Sequence, residues 1–446
     1  MQENMKLEKK AILVGYKTPD NLSFEYEMEE LRLLCEAIDI EVIDSITQSG
    51  DSINIKTYLR KGKMDELVNL IEVSGANLIV YNDELSPSQM QSITNLVDIT
   101  VYDRTYIILE IFKQRAKTKE ALLQVEIATL RYMRARLVGL HEGLSRQRGG
   151  GSNGGAYGKG RGETQLEIDR RNVGDRIVLL KKQLATVTKE RALQRKKRSS
   201  SSTPIICLVG YTNSGKSSML NAIMRYSTLQ KKEVESKNML FATLETSSRL
   251  IKLANNHSFI LTDTVGFVSK LPTVLVEAFK STLEEITEAD LIIHVVDASN
   301  PEFEKQIKTT NEVLAEIGVV NIPTIYAFNK IDKVDNYLYI PNDYLKVTRT
   351  STVTNRGIEA LIKEIESEVF SGEIEIEIVL PYNDAKYINT LKTTALVLEM
   401  EYLEQGIKIK AKVNKNLANE LAKYTKKESW LMRWFLFIIL YWIVHQ

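Results

Sequence analysis

Short apolar runs alternate with helical segments through the first 116 residues of the chain. Four of these runs have the length of buried strands, namely residues 11–14, 40–43, 78–81 and 99–102. Strands that alternate with helices predict an α/β layer with a mainly parallel sheet. The pattern does not give the order of the strands in that sheet.

The next segment has the apolar spacing of two helices that pack against each other. One set of apolar residues follows a 4,3,7 spacing and a second set follows a 4,3,4,3 spacing, which predicts the seam of an antiparallel helical hairpin. The first set is Leu123, Ile127, Leu130 and Leu137, and the second is Val173, Ile177, Leu180, Leu184 and Val187. Residues 149–162, with eight glycines in fourteen residues, form the predicted tip.

Beyond the hairpin, three apolar runs each end in a short polar motif. They are residues 205–209, 259–262 and 323–328, and each reads as a buried strand. Farther on, Glu and Ile alternate with period two in residues 373–380, and two further strand-like runs follow. We therefore expect a second mainly parallel sheet and then a small α+β module.

The first of these polar motifs, GYTNSGKS, fits the phosphate-loop pattern G-x-x-x-x-G-K-[ST] and lies between a strand and a helix, as that pattern requires. Its glycines let consecutive backbone N–H groups face phosphates, and the N-terminus of the next helix adds a positive dipole end. Lys216 is expected to reach the β- and γ-phosphates, and Ser217 is expected to bind Mg²⁺. The predicted contacts are Gly210, Tyr211, Thr212, Asn213, Ser214, Gly215, Lys216 and Ser217.

The second motif is Asp263, Thr264, Val265 and Gly266. An aspartate at the end of a buried strand beside a phosphate loop is placed to bind magnesium through water, and the Gly266 N–H is placed to reach a γ-phosphate. A plain turn is the alternative interpretation.

The third motif is Asn329, Lys330, Ile331 and Asp332. The Asp332 carboxylate can accept hydrogen bonds from N1–H and the N2 amino group of guanine, which adenine does not offer. The three motifs in this order predict a GTP site.

Two further segments complete the predicted site. Thr243 is expected to complete the magnesium shell and to sense the γ-phosphate, within the neighbouring contacts Phe241, Ala242, Thr243, Leu244 and Glu245. Ser351 and Thr352 are expected to cover the guanine. An exposed loop threonine is the alternative for Thr243, and the equivalent alternative holds for Ser351. No catalytic group is assigned, although Lys216, Thr243 and Gly266 are candidates for contacts in the transition state.

Several longer motifs make the chain similar to the HflX family of ribosome-associated GTPases. The motifs are GYTNSGKS, LFATLE, DTVGFVSKLP, LVEAFKSTLEE, GRGETQLEIDRR, YLRKGKMDEL, DELSPSQ and DRTYIILEIFKQRAKTKEALLQVE, within residues 10–425. Arg60, Glu245 and Thr352 depart from the usual glycine, aspartate and alanine of that family. The resemblance implies that the hairpin and its tip form a probe that reaches the large ribosomal subunit.

Phe267 follows the second motif, where Ras-like enzymes carry a glutamine that orients the attacking water. A phenylalanine neither donates nor accepts a hydrogen bond, so we expect slow intrinsic hydrolysis that a partner accelerates. Packing of Phe267 in the core is the alternative, and the two interpretations are compatible.

Charge is distributed unevenly, although the net charge is only +1. Residues 131–198 contain eighteen Lys and Arg against six Asp and Glu. Two of these basic residues, Lys159 and Arg161, lie with Tyr157 among the glycines of the predicted tip. Basic and aromatic groups in a flexible segment suit phosphate contacts and base stacking, so we expect the tip to contact RNA, and the resemblance to the HflX family implies that this RNA is large-subunit rRNA. A flexible linker is the alternative.

Cysteine usage and the two chain ends bear on localisation. With only two cysteines, distant in sequence, neither a disulfide framework nor a zinc site is expected, and no signal peptide is visible. All three tryptophans lie in the last seventeen residues, which are strongly apolar. That tail is consistent with a buried element, a weakly membrane-associated segment or an extension without function, since it is shorter than a spanning helix.

The sequence therefore predicts a cytoplasmic, Mg²⁺-dependent GTPase, expected to be a monomer, that couples its GTP or GDP state to ribosome dissociation or to rescue of stalled ribosomes. A ribosome-assembly GTPase and a membrane-tethered regulatory GTPase are the alternatives. The predicted domains are an N-terminal α/β domain (1–116), a basic antiparallel helical hairpin (117–200), a P-loop GTPase domain with a mainly parallel sheet (201–372), a small α+β C-terminal domain (373–426) and a hydrophobic tail (427–446).

Overall fold

The computed structural model describes residues 8–147, 159–199, 203–229, 240–241, 247–283, 285–334, 339–341, 344–384 and 386–425. These residues form three sheets and a long helical hairpin, a mixed α/β architecture as predicted. The predicted tail at 427–446 lies outside the described residues. Among those that are described, no helix is long and apolar enough to cross a membrane.

The N-terminal α/β region contains four parallel strands in the order β2-β1-β3-β4, an order that the sequence did not give. The strand β3 reads LIVY and is buried on both faces, as expected for a central parallel strand covered by helices. The elements are β1 (Lys9–Lys17), α1 (Phe24–Glu36), β2 (Ile40–Ser49), α2 (Lys61–Ser74), β3 (Leu78–Tyr81), α3 (Pro87–Val97), β4 (Thr100–Asp103) and α4 (Arg104–Arg115).

The hairpin consists of α5 (Lys119–Gln147) and α6 (Lys159–Ser199). Its seam contains the predicted apolar residues, with Leu123, Ile127, Ile177 and Leu180 buried at the centre; the side chain of Leu137 falls outside the described part. Residues 149–158 of the predicted tip also fall outside it. Residues 159–162 are helical rather than part of a loop, because adding a turn to an existing helix costs little compared with nucleating one.

The second sheet has six strands in the order β10-β9-β8-β5-β7-β6, of which only β6 is antiparallel to its neighbour. Strand β5 lies between β7 and β8, so the chain order reverses there and opens a crevice at the carboxyl edge of the sheet. The elements are β5 (Ile205–Val209), α7 (Lys216–Met224), β6 (Ser247–Lys252), β7 (Ser258–Asp263), α8 (Thr273–Leu283), β8 (Leu291–Asp297), α9 (Phe303–Glu316), β9 (Thr324–Asn329), β10 (Val347–Arg349) and α10 (Ile358–Val369).

The C-terminal module is a three-stranded antiparallel sheet in the order β11-β13-β12 with two helices on one face. The alternation of Glu and Ile works as predicted, because Ile376 and Ile378 are buried while Glu375 and Glu377 face lysines on β13. The elements are β11 (Ile374–Leu380), α11 (Lys386–Thr394), β12 (Leu396–Leu403), β13 (Gly406–Val413) and α12 (Lys415–Leu421).

The N-terminal α/β region packs directly on the second sheet's domain. Phe112 of α4 lies between Phe241 and Phe279, with ring centroids 4.8 Å and 5.0 Å away. The hairpin joins the same contact, since Arg131 of α5 pairs with Glu277 of α8. The apolar core therefore continues from the first sheet to the loops at the carboxyl edge of the second.

Candidate guanine nucleotide site

The phosphate loop joins β5 to α7 at the carboxyl edge of the second sheet. Gly210 and Gly215 have φ values of +143° and +97°, which side chains rarely adopt. A Cβ on Gly210 would lie 2.2 Å from the Val295 carbonyl oxygen, and a Cβ on Gly215 would lie 2.3 Å from Asn329 Nδ2. The loop thus needs glycine at both positions because it lies against β8 and the end of β9.

Lys216 and Ser217 begin α7 with their side chains at this loop. Lys216 Nζ is buried and donates to the carbonyl oxygens of Gly210 at 3.0 Å and Tyr211 at 2.8 Å. Burial lowers the pKa of Lys216 to about 8, while the nearby Asp263 carboxylate acts in the opposite direction. An ammonium group and a helix N-terminus together give this loop a positive potential that suits phosphate.

Asp263 ends β7 and lies across the loop from Ser217. Its side chain is completely buried, and its Oδ2 accepts a hydrogen bond of 2.6 Å from Ser217 Oγ. Thr264 Oγ1 donates to the Leu208 carbonyl oxygen at 2.7 Å, which fixes the start of the turn that leads to Gly266. The predicted magnesium-binding hydroxyl and carboxylate therefore lie side by side.

Phe267 runs alongside the phosphate loop through its backbone. Its N–H donates to Gly210 O at 3.2 Å, and its carbonyl oxygen accepts from Thr212 N at 2.6 Å. Its side chain is 2% exposed and packs in the apolar cluster of Phe112 and Phe279. The core-packing interpretation of Phe267 is therefore right, and its ring brings no polar atom to the loop.

Asn329 connects the phosphate loop to the loop that contains Ser351. Asn329 Nδ2 donates to the Ser214 carbonyl oxygen at 3.0 Å, and its Oδ1 accepts from the Thr352 N–H at 3.2 Å. The Asn329 side chain is completely inaccessible to solvent, its bond to Ser214 is buried, and its bond to Thr352 is partly buried. Asn329 therefore holds two predicted parts of the site in register.

Asp332 lies at the mouth of the site and is solvent-exposed. Ser351 Oγ donates to Asp332 Oδ1 at 2.5 Å and accepts from the Thr354 N–H at 3.1 Å. Ile331 is tied to the same loop through its N–H, which donates to Thr350 O at 3.3 Å. Ser351 therefore orients the carboxylate expected to read the base, a role that the sequence did not suggest.

Asp297 is a site residue that sequence reasoning missed. Lys330 Nζ donates to Asp297 Oδ2 at 2.8 Å and to the Asn213 carbonyl oxygen at 2.7 Å. A signal was present in the sequence, since Asp297 ends the apolar run LIIHVVD and so reaches the same sheet edge as Asp263. Asp297 fixes the Lys330 side chain across the phosphate loop.

Phe241 is the described part of the segment predicted to contain the γ-phosphate sensor. Its N–H donates to Thr212 Oγ1 at 2.7 Å, and its side chain is 1% exposed. The predicted contacts of Ala242, Thr243, Leu244 and Glu245 fall outside the described residues.

The N-terminal α/β region also reaches the site, which no sequence signal indicated. Glu30 accepts a hydrogen bond from the hydroxyl of Tyr211 in the phosphate loop, and it pairs with Arg104. Glu30 and Tyr211 are 181 positions apart in the chain.

Comparison with protein families gives three matches that follow one another along the chain. Residues 25–113 match the family described as GTP-binding GTPase N-terminal, residues 115–198 match GTP-binding GTPase Middle Region, and residues 205–330 match 50S ribosome-binding GTPase. These matches cover the N-terminal α/β region from α1 onward, the hairpin and most of the second sheet.

Individual relatives extend over almost the whole chain. GTPase HflX of Caldanaerobacter subterraneus subsp. tengcongensis is 38% identical over 425 residues, which cover 95% of each protein. GTPase HflX of Escherichia coli K12 is 37% identical over 368 residues, 82% of this chain and 83% of that protein. A solved GTP-binding protein of Sulfolobus solfataricus in complex with GDP aligns with 81% of this chain and 99% of its own at 24% identity and a TM-score of 0.42. The chain belongs to the HflX family of GTPases and hydrolyses GTP.

Proposed function

We propose that this GTPase binds GTP with Mg²⁺ at the carboxyl edge of its second sheet and uses the nucleotide state to act on the large ribosomal subunit. The observation that supports the nucleotide site is the convergence of the three motif loops on that edge, where Asn329 bonds both to the phosphate loop and to the loop that contains Ser351 and Thr352. The family description of residues 205–330 as a 50S ribosome-binding GTPase supports the choice of partner. The basic charge of the hairpin supports it as well.

In this proposal, the phosphate loop binds the β-phosphate through its backbone and Lys216 binds the β- and γ-phosphates. The Gly266 N–H and Thr243 are the further contacts proposed for the γ-phosphate. Lys216 is already confined by the two carbonyl oxygens that it contacts, so little side-chain entropy is lost on binding. Asp332 selects guanine, and Ser351 and Thr352 cover the base.

Mg²⁺ fits the oxygen donors that the chain brings together. Ser217 Oγ and Asp263 Oδ2 are hard oxygen ligands 2.6 Å apart, and Mg²⁺ at phosphate sites uses one or two protein oxygens, water and the substrate phosphates. Among the described residues, no cluster of three His, Cys, Asp or Glu side chains forms a metal site independent of nucleotide. When bound, Mg²⁺ would neutralise charge on the β- and γ-phosphate oxygens, with Ser217 and Thr243 as direct ligands.

Hydrolysis is expected to be slow without a partner. The Phe267 ring packs in the core, so it neither orients water nor contacts the transferred phosphate. Contacts from a partner contribute factors of roughly 10³ to 10⁵ in other GTPases. We therefore expect the ribosome to stimulate hydrolysis.

The hairpin is the proposed ribosomal probe, with the glycine-rich tip touching large-subunit rRNA. We propose the domain boundaries stated above, 1–116, 117–200, 201–372 and 373–426, because each range encloses one sheet or the hairpin. A ribosomal partner also places the protein in the cytoplasm. The action expected of it is subunit dissociation or rescue of stalled ribosomes.

Sedimentation tests this function. Intact ribosomes and precursor large subunits are each mixed with the protein and a non-hydrolysable GTP analogue or GDP, and particles are separated on a sucrose gradient. We expect the protein to sediment with the mature large subunit in the GTP analogue and to release the small subunit. Binding to precursors alone would support the ribosome-assembly alternative, and binding to neither particle would contradict the proposal.

A further inference from the structure

Four polar side chains are buried together where the N-terminal α/β region meets the GTPase domain. Glu30 belongs to α1 and Arg104 begins α4, whereas Tyr211 lies in the phosphate loop and Ser269 lies three residues after Gly266. The side chains of Glu30 and Arg104 are each 2% exposed, while Tyr211 and Ser269 are 4% and 5% exposed. We call these four residues the interface cluster.

A single carboxylate connects all members of the interface cluster. Glu30 accepts hydrogen bonds from Arg104 Nη2, from Ser269 Oγ and from the Tyr211 hydroxyl. Arg104 Nη2 also donates to Ser269 Oγ at 2.9 Å, and the Ser269 N–H donates to the Tyr211 hydroxyl. Glu30 therefore binds the phosphate loop and the segment after Gly266 at the same time.

That segment, residues 266–270, lies directly on the phosphate loop, and we call it the switch segment. A Cβ on Gly266 would lie 2.7 Å from Thr212 Cα and 3.0 Å from Lys216 Nζ. The backbone hydrogen bonds of Phe267 to Gly210 and Thr212 hold the switch segment beside the phosphate loop. In the proposed site, the γ-phosphate has to fit between Lys216 and the Gly266 N–H, so the switch segment has to move outward.

Lys270, the residue after Ser269, adds ion pairs to the contact between the N-terminal α/β region and the GTPase domain. Lys270 Nζ lies 2.9 Å from Glu27 Oε2 and 2.5 Å from Asp83 Oδ1, and Lys305 Nζ lies 2.9 Å from Glu27 Oε1. Every acid in these pairs belongs to the N-terminal α/β region and every base belongs to the GTPase domain. Outward movement of the switch segment would have to break the two ion pairs of Lys270, while Lys305 would continue to hold Glu27 in place.

The free-energy cost of moving the switch segment depends on the burial of the Glu30 hydrogen bonds. If Ser269 moved away, Glu30 would lose a donor in an interface that excludes water, and unsatisfied buried charges are strongly destabilising. Contacts that are made in only one of two arrangements shift the equilibrium toward that arrangement.

We propose that Glu30 is a positioning residue for the GTPase reaction. Through Ser269 and Tyr211 it holds the switch segment against the phosphate loop, so the N-terminal α/β region opposes the GTP-bound arrangement and favours GDP. Arg104 pairs with the Glu30 carboxylate and fixes its orientation. This inference rests on the nucleotide site proposed above.

The test compares affinities for two nucleotides in the full-length chain. Dissociation constants for GDP and for a non-hydrolysable GTP analogue are measured by fluorescence titration in Mg²⁺ for wild type, Ser269→Ala and Glu30→Gln. Ser269→Ala leaves the buried ion pair intact, so it decides the question even if Glu30→Gln does not fold. Tyr132→Phe is the matched control, because it removes a hydroxyl that donates to the buried Asp103 carboxylate at 2.8 Å, away from the phosphate loop.

We expect Ser269→Ala and Glu30→Gln to raise affinity for the GTP analogue relative to GDP by about tenfold or more, the effect of losing one hydrogen bond to a charged group. Tyr132→Phe is expected to leave the ratio unchanged. If the role of Ser269 were purely structural, Ser269→Ala would weaken the binding of both nucleotides equally. An unchanged or lowered affinity for the GTP analogue relative to GDP in this variant would therefore overturn the proposal. Failure of wild type to bind either nucleotide would instead overturn the nucleotide site itself.

Discussion

Asp332→Asn tests base recognition by replacing one carboxylate oxygen with an NH₂ group, which turns a hydrogen-bond acceptor into a donor. Ser351 Oγ donates to Asp332 Oδ1 at 2.5 Å, so in the variant this hydroxyl selects the amide oxygen and turns the amide nitrogen toward the base. A donor then faces N1–H and the N2 amino group of guanine, which are donors as well. Xanthine has a carbonyl at position 2 and accepts a hydrogen bond from the amide.

The expected magnitude follows from the two hydrogen bonds that guanine loses. Hydrogen bonds to charged groups contribute about 1.5 to 3 kcal/mol each, and the solvent exposure of Asp332 places both at the lower end. The loss is therefore about 3 kcal/mol, or a factor of roughly 10² in the dissociation constant of GTP. The new neutral hydrogen bond to xanthine is expected to raise XTP affinity by about tenfold.

The assay is competition binding with GTP, XTP and ATP against a labelled nucleotide. Asp290→Asn is the matched control, because it changes a carboxylate that accepts from the Ile205 N–H at 2.7 Å, at the opposite edge of the sheet. Adding Ser351→Ala to Asp332→Asn frees the amide to rotate and is expected to reduce the preference for XTP. Unchanged guanine preference in Asp332→Asn would refute the base-reading role, and full XTP preference without Ser351 would refute the orientation argument.

Three further changes follow from the described geometry. Ser217→Ala is expected to weaken GTP binding by about tenfold or more and to remove most of its Mg²⁺ dependence, as measured by titration over a range of Mg²⁺ concentrations. Replacing residues 149–162 with a short linker is expected to abolish ribosome dissociation, followed by light scattering, while nucleotide affinity stays unchanged, because the 41 residues of α6 separate the tip from the phosphate loop by about 60 Å of helix. His257→Gln is expected to lower the free energy of unfolding more at about pH 6 than at about pH 8, as measured by urea denaturation. Burial opposes protonation of His257, but Glu373 and Glu366 raise its pKa, so its stabilising effect is present below the unfolded value of about 6.5 and is lost as pH rises through the folded value.

Each of these three expectations has an outcome that would contradict it. Wild-type Mg²⁺ dependence in Ser217→Ala would show that Ser217 is not the ligand. Normal dissociation by the shortened hairpin would return the glycine-rich segment to its interpretation as a linker. A pH-independent effect of His257→Gln would show that the ring, which stacks on Phe370 with centroids 4.1 Å apart, acts only by packing.

The nucleotide site was largely predictable because its parts are local. Each motif follows a strand directly, and the carboxyl ends of parallel strands meet at one edge, so adjacency in space follows from position along each strand. The two glycines of the phosphate loop were predictable for the same reason, since their close contacts are with the neighbouring strands. Ser351 lies next to the third motif, but its bond to Asp332 depends on the side-chain rotamer, which the pattern does not give.

The remaining features depend on contacts between distant segments. The strand order of the first sheet depends on which helices cover each of its faces. The helices have similar amphipathic patterns, so the sequence does not indicate that order. Glu30 appears in the sequence as one of several acids on an amphipathic helix. Only packing of α1 against the phosphate loop distinguishes it from its neighbours Glu27 and Glu29.

The contact between α5 and α8 makes the long helix a lever. Arg131 pairs with Glu277 of α8, and α5 continues for sixteen residues beyond that point to Gln147, about 24 Å at 1.5 Å per residue. A rotation of about 10° at this pivot moves the far end of α5 by roughly 4 Å. A small rotation of α5 at its contact with α8 would therefore be amplified, at the far end of α5, to a distance comparable with the spacing of stacked bases.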